Sequence, residues 1–171
     1  MSSNVPIAGV ATTAIAVAVI RARETSRADR LYTDPLAEVF VDAARRGFPA
    51  DRWSRLSALV DQFYAGRTVG VRLFDDRVRA ALATGVRQFV LLGAGLDTRA
   101  FRLDLPPDAV VYEIDLPELF AFKESVVAGV GAEPTCRRVV VAADLRDRHA
   151  RGDRLRRTGP LGGDRRRHQT S

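Results

Sequence analysis

The sequence has a single cysteine, Cys136, among 171 residues. One thiol excludes an intrachain disulfide and a zinc site built from cysteines. Histidine is scarce as well: His149 and His168 are the only two, and both lie beyond residue 145. Most of the chain therefore offers no imidazole as a general base. Long hydrophobic runs are also missing. Val5–Ile20 is apolar, but it is shorter than the ~20 residues of a membrane-spanning helix and contains Thr12 and Thr13. No Lys or Arg precedes it, whereas Arg21 and Arg23 follow it. That order is the reverse of a signal peptide's, so a buried Ala-rich helix is expected. Without an export signal, and with one cysteine, the expected compartment is the reducing cytoplasm, with no membrane partner. Net charge is absent from residues 1–145, which hold 18 basic and 18 acidic side chains.

What is present points to a soluble globular domain. Hydrophobic residues are 46% and charged residues 28%, which excludes a wholly disordered chain and a polytopic membrane protein. The length suits one domain of ordinary size. The net charge of +6 comes entirely from residues 146–171, with nine arginines and three aspartates. That stretch has no apolar period, and a disordered, solvated basic tail is expected. It could meet phosphates, but no aromatic residue is there to stack on bases, so nucleic acid is not the expected partner. The abrupt Arg/Gly enrichment also fits an out-of-frame reading of GC-rich DNA.

The chain divides into a helical region over residues 1–84, an α/β half over 85–145, and the tail. Helix is expected from Ala11 to about Arg23. Asp34 can cap a helix that Pro35 opens and Gly47-Phe48-Pro49 ends. Its inner face carries Leu36, Val39 and Phe40. Residues 51–83 read as one or two amphipathic helices, with Leu56, Leu59, Val60, Phe63 and Tyr64 at helical spacing and a break plausible at Gly66 or Gly70. Gly85 closes the helical region. Three β-rich runs follow: Gln88–Leu92, Val110–Ile114 and Arg138–Ala142. Pro117 opens a helix between the second and third. This order predicts an α/β fold with parallel strands joined by crossovers. The runs are continuously apolar, which predicts burial on both sheet faces.

The strongest chemical signal lies where the first run stops, at Gly93-Ala94-Gly95-Leu96-Asp97-Thr98-Arg99. Glycines at the carboxyl end of a first strand allow close backbone approach to a ligand, in the crevice that open α/β sheets use. Asp115 ends the second strand, 20 residues after Gly95, where a carboxylate can accept from ribose hydroxyls. Glu113 lies two residues earlier on the same strand face. Asp144 follows the third strand and could accept from an adenine amine. A dinucleotide fingerprint needs a third glycine where this chain has Thr98, and Asp97 would repel a pyrophosphate. An adenosine ligand without phosphate fits better, and S-adenosyl-L-methionine is such a ligand. An NAD(P)-binding oxidoreductase fragment and a non-enzymatic basic-tail binder remain the competing classes.

The string FVLLGAGLDTRAFR at Phe89–Arg102 resembles the leucine carboxyl methyltransferase-like group of S-adenosyl-L-methionine-dependent methyltransferases. VYEIDLPE at Val111–Glu118 and AADL at Ala142–Leu145 resemble its second- and third-strand motifs. The resemblance covers residues 10–145. It implies a class I, Rossmann-like methyltransferase sheet behind an N-terminal helical region, incomplete because later strands have no counterpart here. It also implies S-adenosyl-L-methionine as cofactor, a small-molecule methyl acceptor, and O-methylation of a small molecule or carboxylate; impaired activity is expected of a truncated three-strand sheet, which exposes an unpaired edge and an apolar face. By motif, Gly93, Ala94, Gly95, Asp115, Asp144 and Leu145 take cofactor-binding positions. Arg72 takes that of an arginine pairing with the methionine carboxylate, and Gly70 stands where the family usually has another arginine. No catalytic base is assigned: Tyr32, Tyr64 and Tyr112 are the candidates, with packing roles expected. No metal is implied, and the oligomeric state is left open.

Overall fold

A computed structural model describes residues 10–146. The basic tail expected from residue 146 onward lies outside these residues, except for Arg146 itself.

Three helices come first: α1 (Val10–Thr25), α2 (Pro35–Gly47) and α3 (Ala50–Ala83). Asp34 caps α2, its Oδ1 accepting from the Ala37 N–H at 3.1 Å, with Pro35 in the first turn. Residues 50–83 form one helix of 34 residues rather than two. Each glycine in a helix interior costs about 1 kcal/mol, but α3 is anchored on both sides of Gly66 and Gly70. Leu56 and Val60 pack into one core; Val78 and Leu82 pack against another. The expected apolar stripe is wider than the buried face, since Leu59 and Phe63 stay exposed.

The α/β half runs β1 (Gln88–Leu92), α4 (Arg99–Arg102), β2 (Val110–Asp115), α5 (Pro117–Gly129) and β3 (Arg137–Ala142). The strands form a parallel sheet in the order β1-β2-β3. Both crossovers advance in the same direction across the sheet. Right-handed connections therefore place α4 and α5 on one face. The contacts agree: Phe89, Leu91 and Val111 pack with Ala100 and Leu103 of the α4 segment, and Glu113 meets Lys123 of α5. The main core joins α1, α2 and α3 to α5, with Ile15, Ile20, Phe40, Val60, Leu119 and Phe122 fully or almost fully buried.

Burial on both faces holds for β2 but not for β1 or β3, where exposed and half-buried residues dominate. On β1, exposed and half-buried residues alternate, and Val90 and Leu92 are 58% and 67% exposed. The cause is topological. Among the described residues β1 pairs only with β2, and the described crossover helices cover the opposite face.

Candidate functional site

The carboxyl ends of the strands are stitched together by backbone hydrogen bonds. The N–H groups of Gly93 and Ala94 donate to the Ile114 carbonyl at 2.9 and 3.1 Å, and Ala143 N–H donates to the Asp115 carbonyl at 2.8 Å. Gly95 N–H donates to Asp115 Oδ2 at 2.6 Å, and Leu116 N–H donates to Oδ1 at 2.7 Å. A carboxylate has about four acceptor positions, so Asp115 keeps capacity for ligand hydroxyls.

Two adjoining lobes of one cleft, about 410 and 260 Å³, open above this junction. Both are lined by Gly93, Ala94, Asp97, Val17, Arg21 and Arg67; the smaller also reaches Gly95, Asp115 and Leu119. Gly93 (φ +65°) and Gly95 (φ +52°) adopt the left-handed backbone that side chains disfavour. A Cβ at Gly93 would meet nothing within 4 Å, so the loop floor is open. A Cβ at Gly95 would lie 3.2 Å from the Ala14 Cβ of α1. Gly95→Ala therefore combines a backbone penalty of roughly 1–2 kcal/mol with a clash against α1. The expected outcome is a lower denaturation midpoint, read by urea titration; an unchanged midpoint would refute this packing.

Of the residues singled out in the sequence, the structure gathers Gly93, Ala94, Gly95 and Asp115 around one cleft. Asp144 and Leu145 follow Ala143 directly but are not among the cleft's lining residues. Arg146 pairs with Asp144 and holds its carboxyl at about 2. Arg72 lies apart. Its Nε donates to Asp76 at 2.9 Å and its Nη1 to the Leu31 carbonyl at 2.9 Å, and it lines neither lobe. Glu113 does not reach the cleft either. It is fully buried beneath α5, accepting from Lys123 Nζ and Arg138 Nη2 at 2.7 Å each.

Two buried ionic groups escaped sequence reasoning. In the first, Asp34 Oδ2 accepts from Arg21 Nε at 2.7 Å and from Thr98 Oγ1 at 2.5 Å. Arg21 Nη2 also donates to the Leu96 carbonyl at 2.6 Å, so the α2 cap and α1 hold the glycine loop. Thr98 thus has a structural task where a dinucleotide loop would carry glycine. Asp75 of α3 pairs with Arg99 and Arg102 just beyond it. In the second group, Lys123 Nζ bridges Glu113 and the Asp97 carbonyl, the latter at 2.6 Å. Burial would raise the Asp97 carboxyl, but Arg99, Arg21 and Lys123 hold it below its ordinary range. Asp97 is therefore an anion whose charge is already balanced by Arg99.

Two of the three candidate tyrosines, Tyr32 and Tyr64, are unsuited or occupied. Burial pushes Tyr32 up to about 12. Tyr64 is raised by burial and donates to Glu24 Oε2 at 2.5 Å. Cys136 is buried just before β3, and burial raises its thiol.

A glycine loop at the tip of the first parallel strand, held by an acid at the tip of the second, defines a Rossmann-like α/β fold. The chain belongs to the leucine carboxyl methyltransferase family, whose model matches residues 14–162. It is 49% identical over 141 residues to a protein of Parafrankia sp. (strain EAN1pec), covering 81% of this chain and 46% of that one. A Frankia alni relative is 46% identical over 141 residues, covering 81% and 49%. A Saccharopolyspora erythraea relative is 44% identical over 142 residues, covering 82% and 50%. Their names place all three among S-adenosyl-L-methionine-dependent methyltransferases. The chain spans about half the length of these curated relatives.

The residues present fit the family's cofactor. Asp115 offers acceptors for ribose hydroxyls, the open floor at Gly93 admits close approach, and Val17 and Leu119 supply apolar wall. Cations also line the cleft, and a carboxylate needs one.

Proposed function

We propose that this chain binds S-adenosyl-L-methionine in the cleft above Gly93–Gly95 and provides the cofactor-binding part of a methyltransferase. The carrying observation is the 2.6 Å hydrogen bond from Gly95 N–H to Asp115, which rigidifies the loop and aims a carboxylate into the cleft. Asp115 holds the ribose, with Asp144 and Leu145 beside the adenine. Gly93 and Ala94 form the floor under the amino-acid portion. When bound, the cofactor supplies an electrophilic methyl group on a sulfonium, and the protein contributes orientation and a dry wall. The acceptor is a small molecule or a carboxylate, and its capture requires residues beyond the described cleft. No helix among the described residues is long and apolar enough to cross a membrane.

Calorimetric titration of the full chain with S-adenosylhomocysteine tests the reading. Submillimolar binding that NAD does not displace is expected. Displacement by NAD, or no binding by folded protein, would refute it.

A further inference from the structure

Beside the two-lobed cleft, a groove of about 110 Å³ runs between α1 and α3. Thr13, Val17 and Arg67 line both the groove and the smaller lobe, so the two spaces adjoin. Two helix faces build the groove. Ala16, Val17 and Ile20 recur at helical spacing on α1, and Leu59, Phe63 and Arg67 follow at four-residue steps on α3. The buried side chains of Ile20 and Val60 form the floor. The rim is open: Leu59 is 39% and Phe63 49% exposed. These are the two residues by which the apolar stripe of α3 exceeds its buried face, and covering such surface is favourable.

The chemistry of the groove sets it apart from the cleft. The larger lobe is walled by Arg21, Asp97, Arg99 and Arg102, which suits polar and charged groups. Among the residues lining the groove, only Thr13 and Arg67 are polar. An apolar cavity of roughly 150 Å³ takes up benzene, so this smaller, open-sided groove has room for one ring. Phe63, half in solvent, offers that ring an aromatic partner.

We infer that the groove between α1 and α3 holds the aromatic ring of the methyl acceptor, which is a small molecule carrying its accepting atom on or beside a single ring. This rests on the proposed cofactor site. A ring seated here adjoins the lobe above Gly93–Gly95, while the nucleoside keeps Asp115 and Leu119.

The full chain, saturated with S-adenosylhomocysteine, is probed with p-cresol and with glycerol by saturation-transfer NMR. Transfer to the p-cresol ring and none to glycerol is expected. Phe63→Ser is expected to weaken p-cresol binding by about 10-fold or more and to leave S-adenosylhomocysteine affinity and the thermal midpoint unchanged. Leu73→Ser, at a residue of α3 that is 50% exposed and lines neither groove nor cleft, keeps p-cresol binding. Equal losses in the two variants mark unspecific apolar contact and overturn the inference. So does a wild-type chain that binds S-adenosylhomocysteine but not p-cresol, and there the cofactor site stands. A dimer in sedimentation velocity that Phe63→Ser dissociates makes a second copy the occupant and overturns it as well. Folded chain that does not bind S-adenosylhomocysteine overturns the cofactor site and this inference together.

Discussion

Replacing Asp75 with asparagine is expected to cost about 3–5 kcal/mol of folding stability. The side chain of Asp75 is wholly buried and is the counter-ion of two arginines. Oδ1 accepts from Arg99 Nε at 3.0 Å and Arg102 Nη2 at 2.8 Å, and Oδ2 accepts from Arg102 Nη1 at 2.6 Å. Arg102 is itself nearly buried. Burial would lower its guanidinium, but Asp75 and Asp34 raise it; without Asp75 it still stays charged, because a guanidinium is too basic to lose its proton in a protein. Asparagine keeps the shape and removes the charge, leaving Arg102 with Asp34 at 3.7 Å as its nearest acid. The penalty is that of a buried, uncompensated cation. It also removes the ionic tie between α3 and the segment after the glycine loop, leaving only the apolar contacts of Val78 and Leu82, so S-adenosylhomocysteine affinity is expected to fall with it. Urea denaturation reads the first effect as a lower midpoint with an unchanged slope. A loss below about 1 kcal/mol would mean a surface pair's worth and would contradict the geometry.

Glu113→Gln is the second large loss, again about 3–5 kcal/mol at neutral pH. Glu113 and Lys123 are both completely buried, and Arg138 nearly so. Arg138 keeps Glu124 as a partner; Lys123, the only lysine of the chain, keeps only the Asp97 carbonyl. Burial already holds the Lys123 ammonium below its ordinary 10.5 despite the opposing pull of Glu113. Removing Glu113 lowers it further. The unfolded chain then binds more protons than the folded one over the interval below 10.5, so the variant's stability rises with pH there. The deficit relative to wild type is expected to be largest near neutrality and to shrink toward pH 10. Adding Lys123→Met removes the orphaned charge and recovers much of the loss, with a coupling of about 1–3 kcal/mol in a double-mutant cycle. A pH-independent deficit, or strictly additive single losses, would show that the two groups are not paired.

The local rules were written plainly in the chain. Asp34-Pro35 marks a helix start because a short carboxylate can accept a free amide and proline needs none. The strand at Gln88–Leu92 ends at glycine because the chain turns there with positive φ. The motif strings after each strand carried the family assignment, which the family match bears out. Two features were less legible. The exposure of β1 could not be read from five apolar residues, since burial depends on which neighbours the sheet supplies. Glu113 looked like a candidate for the ribose because it shares a strand face with Asp115. Its true partner, Lys123, sits on a helix whose docking angle no periodicity encodes.

Sequence-local chemistry is enough for the parallel α/β order, the glycine turn and the acid 20 residues after Gly95, because each depends on backbone preference or on spacing along one element. Which charges meet depends on packing between elements. Asp34 reaches Thr98 across 64 positions and Asp75 reaches Arg102 across 27, and burial makes such pairs obligatory, since a lone charge in the interior is too costly to keep. Arg67 and Arg72 are alike in sequence. Only the direction in which α3 presents each one leaves the first free in the cleft and ties the second to Asp76.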